Sequence, residues 1–375
     1  MNYTYSYWEL QTWFSKVDYT VVGSGITGLN CALNLRKRFP SAKIIVLERG
    51  SLPSGASTKN AGFACFGSLS EVLNDLKKHS EEEVLDIIKM RYDGLNLLRK
   101  TLGDKAIDYK HWGGYELFFD KNKELYESCL EQRERVNKLL SPIFNQNSFK
   151  IAENKFEFKN IKPNLIFSNT EGQINTGSMM RALLKLANEK NILILNNQTV
   201  ESFEDLKGSV DVSTKDISFK TNKLFIATNG FSEKLGLPEI EPARSQVLVT
   251  KPIEGLKIKG TFHLDEGYLY FRNIDGRILL GGGRNIDQKT EQTDIFETTS
   301  KIQSYLDDLL KNTILPNQDF EIDHRWSGIM GVGHKKKPII KAVSENVFCG
   351  IRLSGIGVAI GSLVGKELAE LYYTN

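Results

Sequence analysis

Asp18-Tyr-Thr-Val-Val22, Gly23-Ser-Gly25-Ile26-Thr-Gly28 and, further on, Lys43-Ile-Ile-Val-Leu47 with Glu48 behind it decide the fold. An apolar β-run leads into a glycine turn, then into a helical run carrying Leu29, Ala32, Leu33 and Leu35, then into a second β-run that ends on an acid. That order is a complete βαβ unit. Gly23 permits the tight turn. Gly25 lets backbone N–H groups approach a pyrophosphate at the helix start, which begins at Ile26, and Gly28 lets helix and strand pack closely. Glu48, about 20 residues after Gly28, is placed to hold a ribose 2′-hydroxyl and to repel a 2′-phosphate. The stretch predicts an α/β, Rossmann-like domain that binds the ADP half of a dinucleotide. It does not separate FAD from NAD.

Outward from that stretch, composition narrows the function classes. With 375 residues, 40% hydrophobic and 25% charged, the chain can bury a large cofactor and shows no disordered tail. The formal charge of +3 comes from Lys and Arg scattered among Asp and Glu, which argues against a nucleic-acid binder. Cys31, Cys65, Cys129 and Cys349 lie far apart with no CxxC pair, so neither a metal site nor a disulfide framework is expected, and a reducing cytoplasm is. Met1 to Lys16 is rich in aromatics (Tyr3, Tyr5, Tyr7, Trp8, Trp13, Phe14) but has no basic and apolar regions in series, and is read as an extension, not a signal peptide. No run reaches the roughly 18 apolar residues of a membrane span. The apolar Val358–Leu368 segment is interrupted by Gly361 and Gly365 and reads as a packed helix.

Strand and helix signals alternate through the first 75 or so residues and return twice later, which predicts a domain assembled from separated pieces. Residues 70–140 carry helical periodicity (Val72, Leu73, Leu76; Leu85, Ile88; Leu95, Leu98; Leu125, Leu130, Val136, Leu139), broken by the strand-like Gly114–Phe119. Residues 243–285 read as antiparallel strands, with an Asp275-Gly276 hairpin turn between Tyr268–Phe271 and Arg277–Leu280. The expected division is α/β with α+β character overall: a cofactor domain over 17–78, 160–238 and 325–375, and a sheet-plus-helix substrate domain over 79–159 and 239–324 inserted into it, after an extension over 1–16.

Directly after Glu48-Arg49-Gly50 comes Gly55-Ala56-Ser57-Thr58-Lys59-Asn60-Ala61-Gly62, small and hydroxyl or amide side chains that let backbone lie close to a long ligand. At this point the sequence resembles the D-amino-acid-oxidase-like superfamily of FAD enzymes, and the resemblance covers nearly the whole chain. It implies FAD as cofactor. Gln198-Thr-Val200 looks like the family segment whose valine backbone touches adenine, and Lys223–Gly230, with Thr228, Asn229 and Gly230, like the strand and loop that return to the cofactor. Ser354-Gly355-Ile356-Gly357-Val358 precedes the last helix, whose start faces the flavin pyrimidine ring in the family. Helix N-terminal amides suit that place because reduced flavin carries negative charge there. Ser6-Tyr-Trp8, Tyr270-Phe-Arg272, Leu280–Gly283 and Trp326-Ser-Gly328 are similar to the γ-glutamylputrescine oxidase and glycine oxidase-like branch.

Departures from that pattern shape the expected chemistry. Amino-acid oxidases of the superfamily carry a carboxylate-clamping arginine near the position of Met330, and Met cannot make a bidentate clamp, so an amine is favoured over a simple α-amino acid, with Arg272 or Arg325 as possible substitutes. The strand Ile278-Leu279-Leu280 lacks the oxygen-activating lysine of sarcosine-oxidase relatives, which leaves O2 or another electron acceptor open. Ile356 stands where branch relatives often have histidine. The Ser57–Lys59 stretch lacks the histidine, and the Gly350 region the cysteine, of linked relatives, so FAD is expected to be non-covalent; Cys349 is the candidate against this, and Cys65 could line the flavin. Hydride transfer from carbon needs a neutral amine nitrogen, and taking an ammonium with a pKa of ~10.4 to neutrality at pH 7 costs about 4–5 kcal/mol. Burial supplies part of that shift, so aromatic walls are expected: Tyr268, Tyr270, Trp326 and Tyr115. Arg272, Met330 and His324, the last as proton acceptor, complete the candidates, with His111 and His263 below them. The expected function is FAD-dependent oxidation of a C–N bond in a small amine or amino-acid-like molecule, with no nucleic-acid partner and no integral membrane segment. The alternatives are an FAD enzyme acting on an alkylaminomethyl group of tRNA and a flavin-bound protein without turnover.

Overall fold

The computed structural model describes residues 4–374. Val17–Val22 and Ile44–Leu47 are buried on both faces, one against helices and the other against the extension and the antiparallel strands around Val200–Thr214, and they run parallel. They form the middle of a sheet ordered Ile339–Ala342, Val347–Ile351, Ser218–Ile226, Val17–Val22, Ile44–Leu47, Leu193–Leu195, parallel except for its first strand. The strands Val200–Leu206 and Ser209–Thr214 extend it antiparallel from Ser218–Ile226. The helix Ile26–Arg38 packs against Gly357–Thr374, the segment read as a packed helix. A Cβ on Gly365 would stand 2.4 Å from the Thr27 carbonyl oxygen, so the two backbones meet there.

A second sheet runs Ile322–Val332, Glu241–Thr250, Arg277–Gly282, Leu269–Ile274, Thr261–Leu264, Gly114–Glu116, Asn164–Ser168, Phe149–Glu153. One face packs on the helix Ser300–Leu309 through Phe262, Phe271, Leu248, Ile278 and Leu306. The other turns toward the first sheet. The expected hairpin is present: Asp275 and Gly276, at φ +49 and +71, join Leu269–Ile274 to Arg277–Gly282. The helices expected over 70–140 are Leu69–Lys78, Glu81–Leu102 and Lys123–Phe144, the first two capped by Ser68 and Ser80. The α/β fold with an inserted sheet-plus-helix layer is therefore present. Sheet membership shifts two of the expected limits: Asn164–Ser168 and all of Ile322–Val332 belong to the second sheet, because each completes a backbone ladder there.

Residues 1–3, Tyr3 among them, lie outside the described residues. In the extension, Ser6 and Glu9 close a capping box around Tyr7–Glu9, and Phe14 packs between Tyr5 and Phe219. Among the described residues no helix is long and apolar enough to cross a membrane.

Candidate cofactor and substrate cavity

A single cavity of ≈ 580 Å³ runs between the two sheets, within the range of small-molecule sites. Its first end is the glycine turn. Gly23 sits at φ +102, and a Cβ on Gly28 would fall 1.9 Å from the Gly23 carbonyl oxygen, so helix and turn are in backbone contact. Gly23, Gly25 and Ile26 line the cavity, while Gly28 lies behind them as a packing residue. Glu48 is buried at the strand end. Its carboxylate accepts the Ser24 N–H at 3.1 Å and hydroxyl at 2.8 Å, and the Gly50 N–H and Ser54 hydroxyl at 3.0 Å each. Beside it stand Arg49, whose guanidinium lies 3.6 Å over the Phe231 ring, and Val200. Burial lowers the Arg49 pKa.

The loop Gly55–Gly62 closes on this turn. Ser57 Oγ accepts the Ile26 N–H at 2.9 Å, and Asn60 ties the loop together, donating to the Ala56 and Ser57 carbonyls and accepting the Gly62 N–H at 2.8 Å. Gly55, Ala56, Ser57, Asn60, Ala61 and Gly62 all border the cavity. From the other side come Thr228 and Asn229, then Ser354 to Val358 at the start of the last helix. Asn229, Arg352 and Ser354 hold left-handed backbone at φ +46, +65 and +46, strain that clusters where two loops meet. Asn229 Oδ1 accepts the Leu353 N–H at 3.1 Å and locks them together. Gly230 packs under the Met330 carbonyl and does not line the cavity.

The chemistry of these walls fits a dinucleotide. Thr27, Thr228 and Ser354 keep buried hydroxyls without a protein partner, and all three residues line the cavity. Phosphate oxygens and a ring edge are groups that such donors satisfy, and the opening amides of the helices at Ile26 and Gly357 have no intrahelical acceptors. Cys65 borders the cavity, whereas Cys349 lies inside the strand Val347–Ile351, in the core.

At the second end the structure reorders the expected substrate residues. Across the second sheet, cross-strand partners form one row, Trp326, Val247, Gly281, Tyr270, His263, Glu116, on the face turned to the cavity. Tyr270 and His263 both line it, with the Phe63 ring edge-on to each at 5.5 and 5.3 Å. The Tyr270 hydroxyl pairs with Ser245 Oγ at 2.9 Å, and burial raises its pKa. Tyr268 and Met330 also line the cavity.

Five residues expected at the substrate end lie off the cavity. Arg272 points past the cavity and donates to the Gly62 and Ile174 carbonyls, at 3.1 and 2.7 Å; burial lowers its pKa to about 10. The Trp326 indole N–H donates to the Lys59 carbonyl at 3.0 Å, outside the cavity. His324 is exposed and stacked on Trp326. Tyr115 packs in the core against Phe262. Arg325, the other possible substitute clamp, is paired with Asp307 and Gln303.

Sequence reasoning undervalued His263 and missed Arg91. The His263 Nε2 meets Glu171 Oε2 at 2.8 Å, and Thr261 donates to the same oxygen. Burial lowers the imidazole pKa, but Glu171 outweighs it and the net direction is up. Arg91, buried on Glu81–Leu102, reaches Glu71, which Lys336 also holds. Both cations hold the Glu71 carboxyl well below the usual carboxylate range against its burial. No local periodicity marks residues 91, 171, 263 and 336 as neighbours.

Comparison with known proteins agrees with this geometry. The model of the family described as FAD dependent oxidoreductase (DAO) matches residues 18–371. The chain is 22% identical to a probable oxidoreductase OrdL of Haemophilus influenzae over 96% of this chain and 83% of that one, and 24% identical to the gamma-glutamylputrescine oxidoreductase of Escherichia coli over 94% and 83%. Among solved structures it is similar to glycine oxidase from Geobacillus kaustophilus (TM-score 0.76, 16% identity, 96% and 95% covered) and to L-proline dehydrogenase from P. horikoshii (TM-score 0.74, 19%, 96% and 94%).

Proposed function

Because the chain belongs to the FAD dependent oxidoreductase family, we propose that it oxidises the C–N bond of an amine or amino-acid-like small molecule in the cytoplasm, holding FAD without a covalent link. Bound FAD supplies the hydride acceptor, flavin N5. The observation that carries the reading is one continuous cavity from the Glu48 carboxylate to the Tyr270–His263 wall, with a cofactor cradle at the first end and room for a small molecule at the second.

In this reading Glu48 exchanges its contacts to Ser24 and Ser54 for ribose hydroxyls, the Gly25 amide faces the pyrophosphate, and the Ile26 amide joins it by exchanging Ser57 Oγ for a phosphate oxygen. Val200 lies beside the adenine. The amides of Gly357 and Val358 stabilise negative charge where it develops. At the substrate end, Tyr270, Tyr268, Phe63 and Met330 exclude water, which favours the neutral amine. His263, whose pKa Glu171 raises against its burial, adds positive charge in its protonated form, which disfavours the ammonium further. The nitrogen lone pair then forms the C=N bond as the hydride leaves the carbon for that acceptor, and the immediate product is an iminium, the protonated imine.

Lys335, Lys336 and Lys337, one of two runs of three basic residues, are each paired with carboxylates, Glu83, Glu71 with Asp75, and Asp86, and Arg36 of the other run, Arg36-Lys37-Arg38, is spent on backbone carbonyls, which supports a small molecule over tRNA as substrate. The test is anaerobic stopped-flow mixing with alkylamines, polyamines and amino acids while flavin absorbance is followed. Bleaching by members of one class is expected, and reoxidation on adding O2 then separates oxidase from dehydrogenase. A flavin that no member of the panel bleaches would sink the reading.

A further inference from the structure

His263 offers the cavity a ring nitrogen that the protein leaves open. Its Nε2 meets Glu171 Oε2 at 2.8 Å, and that carboxylate, also held by the Thr261 hydroxyl at 3.0 Å, lies behind the cavity wall and not on it. A carboxylate only accepts, so neutral His263 carries its proton on Nε2 and keeps a lone pair on Nδ1. Nδ1 has no partner among the described residues, and, unlike Arg91 Nε, it is not sealed from the cavity that His263 lines. The strand Thr261–Leu264 is paired on both sides and Phe63 meets the ring edge-on at 5.3 Å, so the ring's orientation is fixed.

The other titratable groups around the substrate end are unsuited to taking a proton there. Glu71 accepts from Arg91 and Lys336, which hold its carboxyl well below the usual carboxylate range, and Asp75 is paired with Lys336. Glu116, beside His263 in the cross-strand register, is tied to Ser68 and Ser70 and does not line the cavity. Burial raises the Cys65 thiol and the Tyr270 hydroxyl, which leaves both protonated at neutral pH. His79, His334 and Glu266 also border the cavity, but they are half-buried or exposed, where water competes for their protons. At His263 the charges of Glu171, Glu116 and Glu71 outweigh burial, which makes this imidazole a stronger base than an ordinary one.

We propose that His263 is the catalytic base, taking a proton from the substrate's ammonium through Nδ1 inside the cavity, with Glu171 as the positioning residue that fixes its tautomer. The inference rests on the amine-oxidation reading and deepens it: the substrate is an amine that arrives as a cation. The ammonium N–H bond breaks, the Nδ1–H bond forms, and the freed lone pair is the one that forms C=N as the hydride leaves the carbon for the flavin. Glu171 neutralises the imidazolium, whose proton returns to water once the iminium has left. The proton-accepting role expected at His324 thus moves from the strand Ile322–Val332 to the strand Thr261–Leu264.

The experiment uses the flavin-loaded full chain. Anaerobic flavin reduction by butylamine, or by the panel member that bleaches in its place, is followed across pH 5.5–9. Butylamine is also compared with 2,2-difluorobutylamine at pH 8.5, where the fluorines leave the amine largely neutral. Separately, the ring nitrogens of isotope-labelled histidine are titrated by NMR, a readout that needs no turnover. In the wild type the second-order constant of reduction should rise with pH through the raised His263 pKa and then level off. Selection of neutral amine from solution would instead keep it rising about tenfold per pH unit. His263→Gln, which keeps an amide donor for Glu171, should lose the plateau. At pH 8.5, where about 1 in 100 butylamine molecules is neutral, its constant should fall at least about 30-fold with butylamine and less than about threefold with the fluorinated amine. Glu171→Gln should move the rising limb to lower pH. Of the five histidines, the one whose signal His263→Gln removes should, when neutral, carry its proton on Nε2. Should His263→Gln fail to fold, the wild-type profile and Glu171→Gln carry the test.

A wild-type constant still climbing at pH 9 overturns the inference and leaves amine oxidation standing. So does an equal loss with both amines in His263→Gln, a rising limb that Glu171→Gln leaves in place, or a neutral His263 protonated on Nδ1. A flavin that no panel member bleaches overturns the oxidation reading and the base role together.

Discussion

Gly28→Ala tests the contact on which the cofactor end is built. A Cβ at position 28 would lie 1.9 Å from the Gly23 carbonyl oxygen and 3.3 Å from Val21 Cγ1, where ordinary van der Waals contact begins at 3.4 Å. The oxygen belongs to backbone held by the Gly23 N–H to Leu47 hydrogen bond at 2.8 Å, so no flexible side chain can move aside. The helix Ile26–Arg38 must therefore lift by about 1.5 Å, which costs on the order of 1–3 kcal/mol of overpacking. The same lift carries the opening amides away from the pyrophosphate. Charge-assisted hydrogen bonds are worth about 1.5–3 kcal/mol each, so losing one weakens FAD about 10- to 150-fold. The measurement is flavin content of the purified protein and FAD titration of the stripped chain by flavin fluorescence. Gly177→Ala, whose Cβ meets only Asn175 Oδ1 at 3.5 Å inside the helix Thr176–Glu189, is the control and should keep wild-type affinity. An FAD dissociation constant for Gly28→Ala within twofold of wild type would refute the reasoning.

Glu48→Arg replaces the ribose-facing carboxylate by a cation and should purify with little or no flavin; full yellow colour at stoichiometric FAD would count against the assigned cradle. Glu171→Gln leaves the buried His263 imidazolium without its carboxylate, a loss of about 3–5 kcal/mol. Over 375 residues that corresponds to a Tm lower by about 4–6 °C. Because the folded His263 pKa is raised above its ordinary 6.5, this stabilisation is complete below that value and fades as pH rises through the raised pKa; thermal unfolding of wild type and variant across pH 5.5–9 should therefore converge at the alkaline end. Tyr270→Phe removes the hydrogen bond to Ser245 and keeps the wall, so anaerobic flavin reduction should slow by less than tenfold, and complete loss would mark Tyr270 as a proton-transfer group. Lys336→Gln should lower stability in urea more than Lys335→Gln and Lys337→Gln together, since the latter pairs are exposed and screened by salt.

The cofactor end was legible because its signals are local. Strand, turn, helix, strand and acid occupy 18–48, and each residue's duty follows from its neighbours in the chain. The same holds for the hairpin at Asp275-Gly276, where backbone twist demands positive φ at both positions. The limits expected at 160 and 325 were not legible, because a strand's sheet depends on the partner that pairs with it, here Gly114–Glu116 for Asn164–Ser168 and Glu241–Thr250 for Ile322–Val332.

At the substrate end the errors have a common geometry. Tyr270 and Arg272, like Met330, Trp326 and His324, share a strand face by the two-residue alternation. Each step of two residues moves a side chain about 6.8 Å along the strand, however, and the cavity is only as wide as the loop Gly55–Gly62 leaves it. Arg272 and Trp326 therefore land beneath that loop and hold its carbonyls, and His324, a further step out, reaches the surface. The position along the strand is settled by cross-strand register, which also brings His263 opposite Tyr270 and sets Glu116 beside it. The residues that anchor the loop and those that face the ligand are thus interleaved on one sheet face. Arg272→Ala should accordingly be read first through flavin content, as a loop-anchoring residue, and only then through substrate affinity.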